Sequence, residues 1–262
     1  MTVLPAPLQP HLTAVPRATA VEVHRVSKTY GDGRSAITAL EDVSLRVAEG
    51  EFVCLVGASG CGKSTLLNLI AGIYHIDQGS IQIGRNRVGL MFQEPALFPW
   101  LTVQRNVESA MRFRKMAPDK GRVKELLSIV HLEEFADRRP HELSGGMQQR
   151  AALARALAQD ADILLMDEPF GALDAMTRMV LHDELERIWQ ATGVSIVFVT
   201  HDVREAVRLG DRVILLSSRP GRVVDEIPVS LERPRRLDSA TVNDIAQEVT
   251  DRLRQQVRHH VG

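Results

Sequence analysis

Aromatic residues make up only 4% of this 262-residue chain, it holds two cysteines, and 33 acidic residues against 32 basic ones leave a formal net charge of −1. Each scarcity excludes something. A near-neutral chain with interspersed acids and bases has no electrostatic footprint for nucleic acid or for an anionic membrane. Two cysteines are too few for a disulfide framework, and a reducing, cytosolic setting is expected. No stretch approaches the ~18 apolar residues of a membrane-spanning helix. The N-terminus lacks a basic region followed by an apolar run, so no secretory signal is expected. The chain reads as soluble, with any membrane association supplied by a partner. Its length allows one substantial α/β core, with room for a small inserted subdomain.

What the sequence does contain is organised around GASGCGKST, residues 57–65. Gly57, Gly62, Lys63 and Ser64 occupy the fixed places of the phosphate-loop pattern G-x-x-x-x-G-K-[ST]. The apolar run Glu51–Val56 before it reads as a buried parallel strand, and Leu66–Ala71 after it as a helix ended near Gly72. Glycines at 57, 60 and 62 let backbone N–H groups, with those of Ala58, Ser59, Cys61 and Thr65 beside them, turn toward phosphate oxygens at a helix N-terminus. Lys63 can reach the β- and γ-phosphates, and the Ser64 hydroxyl can ligate Mg²⁺. Cys54 and Cys61 flank this loop too closely to act as a structural staple.

The flanking chain supplies further elements. Residues 1–20, with prolines at 5, 7, 10 and 16, read as a disordered tail. Strands are expected at Val21–Val26 and near Ile37–Leu45. Tyr30, between them, offers a face on which adenine can stack, though the residues alone explain it equally well as a core side chain. Residues 79–92 read as a hairpin that ends in the apolar strand Val88–Phe92 and presents Gln93, with Pro95 turning the chain away. From Leu101 to about Pro140 the pattern is helical, first a helix capped by Thr102, then the apolar stripe Val123, Leu126, Leu127 and Val130.

Three later strings carry chemistry. Leu143–Arg150, LSGGMQQR, places Ser-Gly-Gly ahead of an Ala/Leu/Arg-rich helix, a second anion-seeking helix N-terminus. One nucleotide has one γ-phosphate, already enclosed by the phosphate loop, so this second helix end suits a nucleotide bound by another copy. Ile163–Pro169 is a buried strand ending in Asp167 and Glu168; the first can hold Mg²⁺ and the second can act as general base toward water. His201, at the end of the strand Val194–Thr200, can donate to a γ-phosphate oxygen, although a lone His is more often structural. A helix from Met176 to Gln190, a strand at Arg212–Ser217, a turn at Arg219–Arg222, an edge strand at Val223–Val229 and an amphipathic helix capped by Ser239 or Thr241 complete the reading.

With GASGCGKST, Gln93, LSGGMQQR, LLMDEP, ALD and His201 in that order, the chain resembles the ATPase subunit of ATP-binding-cassette (ABC) transporters over about residues 21–229. The resemblance implies a P-loop ABC ATPase domain of the α/β class, with a mixed sheet, an antiparallel β subdomain, an α-helical subdomain inserted at about 94–142 and a C-terminal tail over 230–262. It implies ATP and Mg²⁺ as cofactors, the metal held by Ser64, Gln93 and Asp167. It implies Tyr30 as the adenine-stacking residue, Lys63 as a phosphate ligand, Glu168 as general base and His201 as γ-phosphate sensor. Ser144, Gly145, Gly146 and Gln148 would bind the nucleotide of the other copy in a head-to-tail homodimer, and Asp174, also counted with the nucleotide-binding residues, would contact the other subunit. An integral membrane permease would dock on the helical subdomain beside Gln93, a solute-binding protein would take part indirectly, and no nucleic acid would be bound. The subunit would sit peripherally on the cytoplasmic face of the inner membrane.

Three strings, QEPALFPW from Gln93, EPFGALD from Glu168 and RPGRVV from Arg219, are similar to the nitrate/sulfonate/taurine importer branch. That implies uptake of a small oxyanion, an aliphatic sulfonate first and taurine or nitrate behind it. One departure is a shortened segment between Ile83 and Phe92. A DNA-repair ATPase would need a long coiled-coil insertion or a DNA-binding domain, and a translation-factor relative two cassettes in one chain. A non-transport assembly machine with a single cassette stays open, with the permease-type helical segment and EPFGALD weighing against it.

Overall fold

A computed structural model of the chain describes residues 18–84, 86–171 and 173–259. The tail expected over 1–20 lies outside the described residues up to position 17, as do residues 260–262. The chain builds two sheets. Strands β1 (Thr19–Tyr30), β2 (Ile37–Ala48) and β4 (Gln78–Gln82) form an antiparallel sheet in the order β2-β1-β4. The larger sheet uses β3 (Phe52–Gly57), β5 (Val88–Met91), β6 (Ile163–Asp167), β7 (Ser195–Thr200), β8 (Arg212–Leu216) and β9 (Val223–Pro228), in the order β5-β6-β7-β3-β8-β9. Its strands pair in parallel except β9, which closes one edge antiparallel to β8.

The larger sheet is buried on both faces, and its alternation shows why its strands read as unbroken apolar runs. Phe52, Cys54 and Val56 face one core together with Leu164, Met166, Ile196 and Phe198. Val53 and Leu55 face the other with Ile163, Leu165, Val197 and Val199. The first core is capped by α2 (Val103–Phe113), α3 (Lys120–Ile129), α4 (Gly145–Leu157), α5 (Ala175–Thr192), α6 (Val203–Leu209) and α7 (Ala240–His259). The second is filled by α1 (Lys63–Ile70) and the antiparallel sheet. No helix of the described residues is long and apolar enough to cross a membrane.

Caps define the helix starts. Side-chain oxygens of Thr102, Asp119, Ser144, Asp174 and Asp202 accept from backbone N–H groups in the first turns of α2, α3, α4, α5 and α6. Ser239 caps α7 through Val242 N–H at 3.3 Å, and Val242, Ala246 and Val249 of that helix are buried. Two buried or half-buried cations fasten the segment ahead of α7. Arg233 stacks 4.4 Å over the Trp189 ring and pairs with Glu186 and Asp211. Arg235 donates to the carbonyls of Val207 and Val229.

Two expectations are corrected. Residues 79–92 are not a hairpin: β4 pairs with β1 in the small sheet, whereas β5 pairs in parallel with β6 in the large one. The segment between them crosses from one sheet to the other, so its shortness concerns a crossing and not a trimmed hairpin. In addition, a short helix, α6, follows His201 where none was expected.

Candidate functional site

The phosphate loop joins the central strand β3 to α1, the strand-to-helix passage its glycines require. Gly62, the N-cap of α1, has φ of 101°, and a Cβ there would stand 2.6 Å from Leu40 and 2.8 Å from the Ala39 carbonyl oxygen. Only glycine fits that conformation and that space. Lys63 is buried, and its Nζ donates to the carbonyls of Gly57 at 2.9 Å and Ala58 at 3.2 Å. The ammonium is thus held across the mouth of the loop, where phosphate oxygens can replace the carbonyls. Cys61 and Cys54 are free, buried thiols; burial pushes both above their ordinary pKa, which keeps them protonated and unreactive.

A cleft of about 470 Å³ opens over this loop. Ser59, Gly60, Gly62, Lys63, Ser64 and Thr65 form its floor, and Tyr30, Gln93, Glu168, His201 and Arg219 stand around it. Tyr30 comes from the last position of β1 and is 38% exposed, edge-on to Tyr74 at 6.0 Å. Tyr30 is therefore not a core tyrosine, and Lys28 Nζ lies over its ring at 5.6 Å.

Asp167 ends β6 and Glu168 follows it, so alternation sends them different ways. Asp167 is buried, and its Oδ1 has no hydrogen-bond partner. Burial raises its pKa above the ordinary value; the Ser64 hydroxyl opposes the rise, adjacent Glu168 adds to it, and Lys63 opposes it. An orphaned, buried carboxylate oxygen beside a serine hydroxyl is a donor set that suits a small, hard, oxygen-seeking cation such as Mg²⁺. Glu168 turns its side chain into the cleft from a backbone φ of +43°. Its Oε2 lies 3.0 Å from His201 Nδ1 and 3.5 Å from Gln93 Nε2. Three strand ends, those of β5, β6 and β7, therefore deliver Gln93, Glu168 and His201 to one point.

The remaining candidates lie elsewhere on the chain. Ser144, Gly145, Gly146, Gln148 and Asp174 do not line this cleft. Ser144 Oγ accepts from Met147 N–H at 3.3 Å, and Asp174 caps α5 through Thr177 N–H at 3.0 Å; the Thr177 hydroxyl, and then that N–H, lower its pKa. Gln148 donates to the carbonyls of Pro140 at 3.0 Å and Leu143 at 3.3 Å, which makes its amide a brace for the loop before α4.

Sequence reasoning missed two residues. Buried Gln149 donates to the Gln93 carbonyl at 3.2 Å, tying the start of α4 to the cleft wall. Arg219 reaches the cleft from the turn between β8 and β9. The only signal for either was its place in LSGGMQQR or RPGRVV.

With this geometry in view, comparison with known proteins is direct. The ABC transporter family profile matches residues 40–171. The chain is 41% identical to the aliphatic sulfonates import ATP-binding protein SsuB of Bacillus cereus, covering 87% of this chain and 94% of that protein. It is 49% identical to a putative ATP-binding protein of Brucella abortus (strain 2308), covering 82% and 85% respectively. Among solved structures it superposes on the ATP-binding cassette MJ0796 in a dimeric post-hydrolysis state bound to ADP and Pi. The TM-score there is 0.74 and the identity 36%, over 81% of this chain and all of that one.

Proposed function

This chain belongs to the ABC transporter family as an ATP-hydrolysing cassette, and from that membership we propose that it powers import of an aliphatic sulfonate through a partner permease. The observation that carries the catalytic half is the meeting of Glu168, His201 and Gln93 at the rim of the phosphate-loop cleft. The solute half rests on the printed names of SsuB relatives.

In the proposed cycle the phosphate loop and Lys63 bind the β- and γ-phosphates, while Tyr30 stacks on adenine. A Mg²⁺ ion held by Ser64 and Asp167, with Gln93 beside it, would neutralise charge developing on the β- and γ-oxygens. Glu168 orients a water for in-line attack on the γ-phosphorus and takes its proton as the bond to the bridging oxygen of ADP breaks. His201 donates to a γ-oxygen. The second anion-seeking helix end, Ser144–Gly146 with Gln148 behind it, and Asp174 serve the partner copy's site in a head-to-tail homodimer. The dimeric state of the MJ0796 cassette supports that arrangement. Closure of the dimer then moves a permease docked on the helical segment 94–142, a solute-binding protein delivers the sulfonate to that permease, and the cassette sits at the cytoplasmic membrane face.

The test is uptake of radiolabelled alkanesulfonate, taurine and nitrate in cells carrying the wild-type chain or Glu168→Gln. Loss of alkanesulfonate uptake alone in the variant is the expected result. Loss of taurine or nitrate uptake instead reassigns the solute, and retention of all three refutes the importer reading.

A further inference from the structure

The turn carrying Arg219 is built more firmly than a surface connection needs. Ser217 is buried, its N–H donates to the Arg222 carbonyl at 2.9 Å, and its Oγ accepts from Arg222 N–H at 2.9 Å and donates to the Pro220 carbonyl at 2.8 Å. The turn is also stitched to β2. Gly221 N–H donates to the Ala39 carbonyl at 2.9 Å, Glu41 N–H donates to the Gly221 carbonyl at 3.0 Å, and Arg222 pairs with Glu41 at 2.8 Å. It presses against the phosphate loop: a Cβ on Gly221 would stand 2.1 Å from the Cys61 carbonyl oxygen. Glycine at 221 is what allows the two loops to touch.

That bracing fixes where Arg219 stands. Its guanidinium lines the cleft with Ser59, Lys63 and Ser64, and Nε and Nη2 both donate to the Gly60 carbonyl at a long 3.3 Å. Among the described residues it forms no ion pair, whereas Arg222 three positions on is matched to Glu41. A guanidinium is charged at every accessible pH and presents a planar fork of donors suited to phosphate oxygens. Exchanging one neutral carbonyl at long range for an anionic oxygen is favourable, since it pairs opposite charges and Arg–phosphate contacts are short and frequently bidentate.

We propose that Arg219 is a nucleotide-binding residue, its guanidinium gripping the polyphosphate from the side opposite Glu168 and His201. The proposal rests on the reading of this cleft as the ATP site. Arg219 is exposed, so substitution leaves the core untouched.

The experiment is calorimetric titration of MgADP and of Mg²⁺ with a non-hydrolysable ATP analogue into wild type, Arg219→Gln, Arg219→Lys and Lys63→Ala. Protein is kept dilute and shown monomeric by light scattering, and melting curves are taken alongside. Arg219→Gln is expected to raise Kd about tenfold, the size of one charge-assisted contact, with a weaker salt dependence than wild type and an unchanged Tm. Arg219→Lys should recover most of the affinity. A Kd within twofold of wild type in Arg219→Gln overturns the proposal, as does an equal loss in the Lys and Gln variants. Wild-type protein that binds no better than Lys63→Ala overturns the site reading itself, a separate and recognisable result.

Discussion

His201 Nδ1 lies 3.0 Å from Glu168 Oε2, so the two strand-end side chains hold one another's orientation across the cleft rim. A neutral imidazole carries one N–H, so His201 donates either from Nδ1 to Glu168 or, once the proton sits on Nε2, to a γ-oxygen. Gln93 takes up the same carboxylate oxygen at 3.5 Å, which leaves Oε1 as the position from which Glu168 can accept a proton from water. A base so oriented is worth about 10²–10⁴ in rate. Glu168→Gln preserves the shape and removes the proton acceptor. Phosphate release should fall by about that factor while bound nucleotide is retained, read by filter binding on the same samples. Turnover within a few-fold of wild type would sink the assignment.

Asp167 makes a prediction of opposite sign for stability and for activity. Its folded-state pKa is raised, chiefly by burial. Between the ordinary carboxylate value and the raised one, the unfolded chain is ionised while the folded chain stays protonated. Stability therefore falls as pH rises through that window and stays lowered above it. Asp167→Asn removes the charge, so in chelator-treated protein at neutral pH its Tm should rise by about 3 °C, the shift of roughly 1 kcal/mol in a chain of this size. ATP hydrolysis should be lost in the same variant. A Tm that falls would show that the carboxylate is not the cost inferred from its burial.

Behind His201 lies a network whose His182 and Glu205 are buried. His182 Nε2 is 2.6 Å from Glu205 Oε1, Thr200 donates to Glu205 Oε2, and Asp202 N–H donates to Thr200 Oγ1 at 3.0 Å. Glu205 thus anchors residues on both sides of His201. Glu205→Ala strands two buried polar partners and should cost about 3 kcal/mol in urea unfolding. Its kcat should fall with KM for ATP little changed, because the nucleotide floor belongs to other elements. Glu205→Gln, which keeps one acceptor, should recover part of both. A loss below about 1 kcal/mol in the alanine variant would remove the network from the account.

The elements that sequence reveals best are those whose residues mean the same thing locally and globally. β3, β6 and β7 are unbroken apolar runs because both faces are covered, and Gly57, Gly60 and Gly62 announce the loop between β3 and α1. The local marks of α6, the Asp202 cap and Gly210 just past its end, are slight. Three of its seven residues are charged, a composition that suits a solvated turn, yet Glu205 and Arg208 are buried. Their partners, His182 and Asp183, sit on α5, far away in sequence. The false hairpin at 79–92 fails for a related reason: β4 and β5 are neighbours in the chain, but each finds its partner strand elsewhere. Arg219 could be read as part of a turn, whereas its reach into the cleft depends on Gly221 meeting Cys61 across about 160 residues, a contact no local pattern carries.

The backbone at Glu168, held at φ of +43°, sets the proposed general base against the chain's own conformational preference. A side chain with a Cβ in that region costs on the order of 1–2 kcal/mol, a penalty that glycine escapes and asparagine softens. A variant library screened for heat resistance alone would therefore drift toward Gly or Asn at 168 and discard turnover in the process. Only a screen that demands ATP hydrolysis would hold the glutamate there, which makes position 168 a gauge of which of the two pressures a population of sequences has been under.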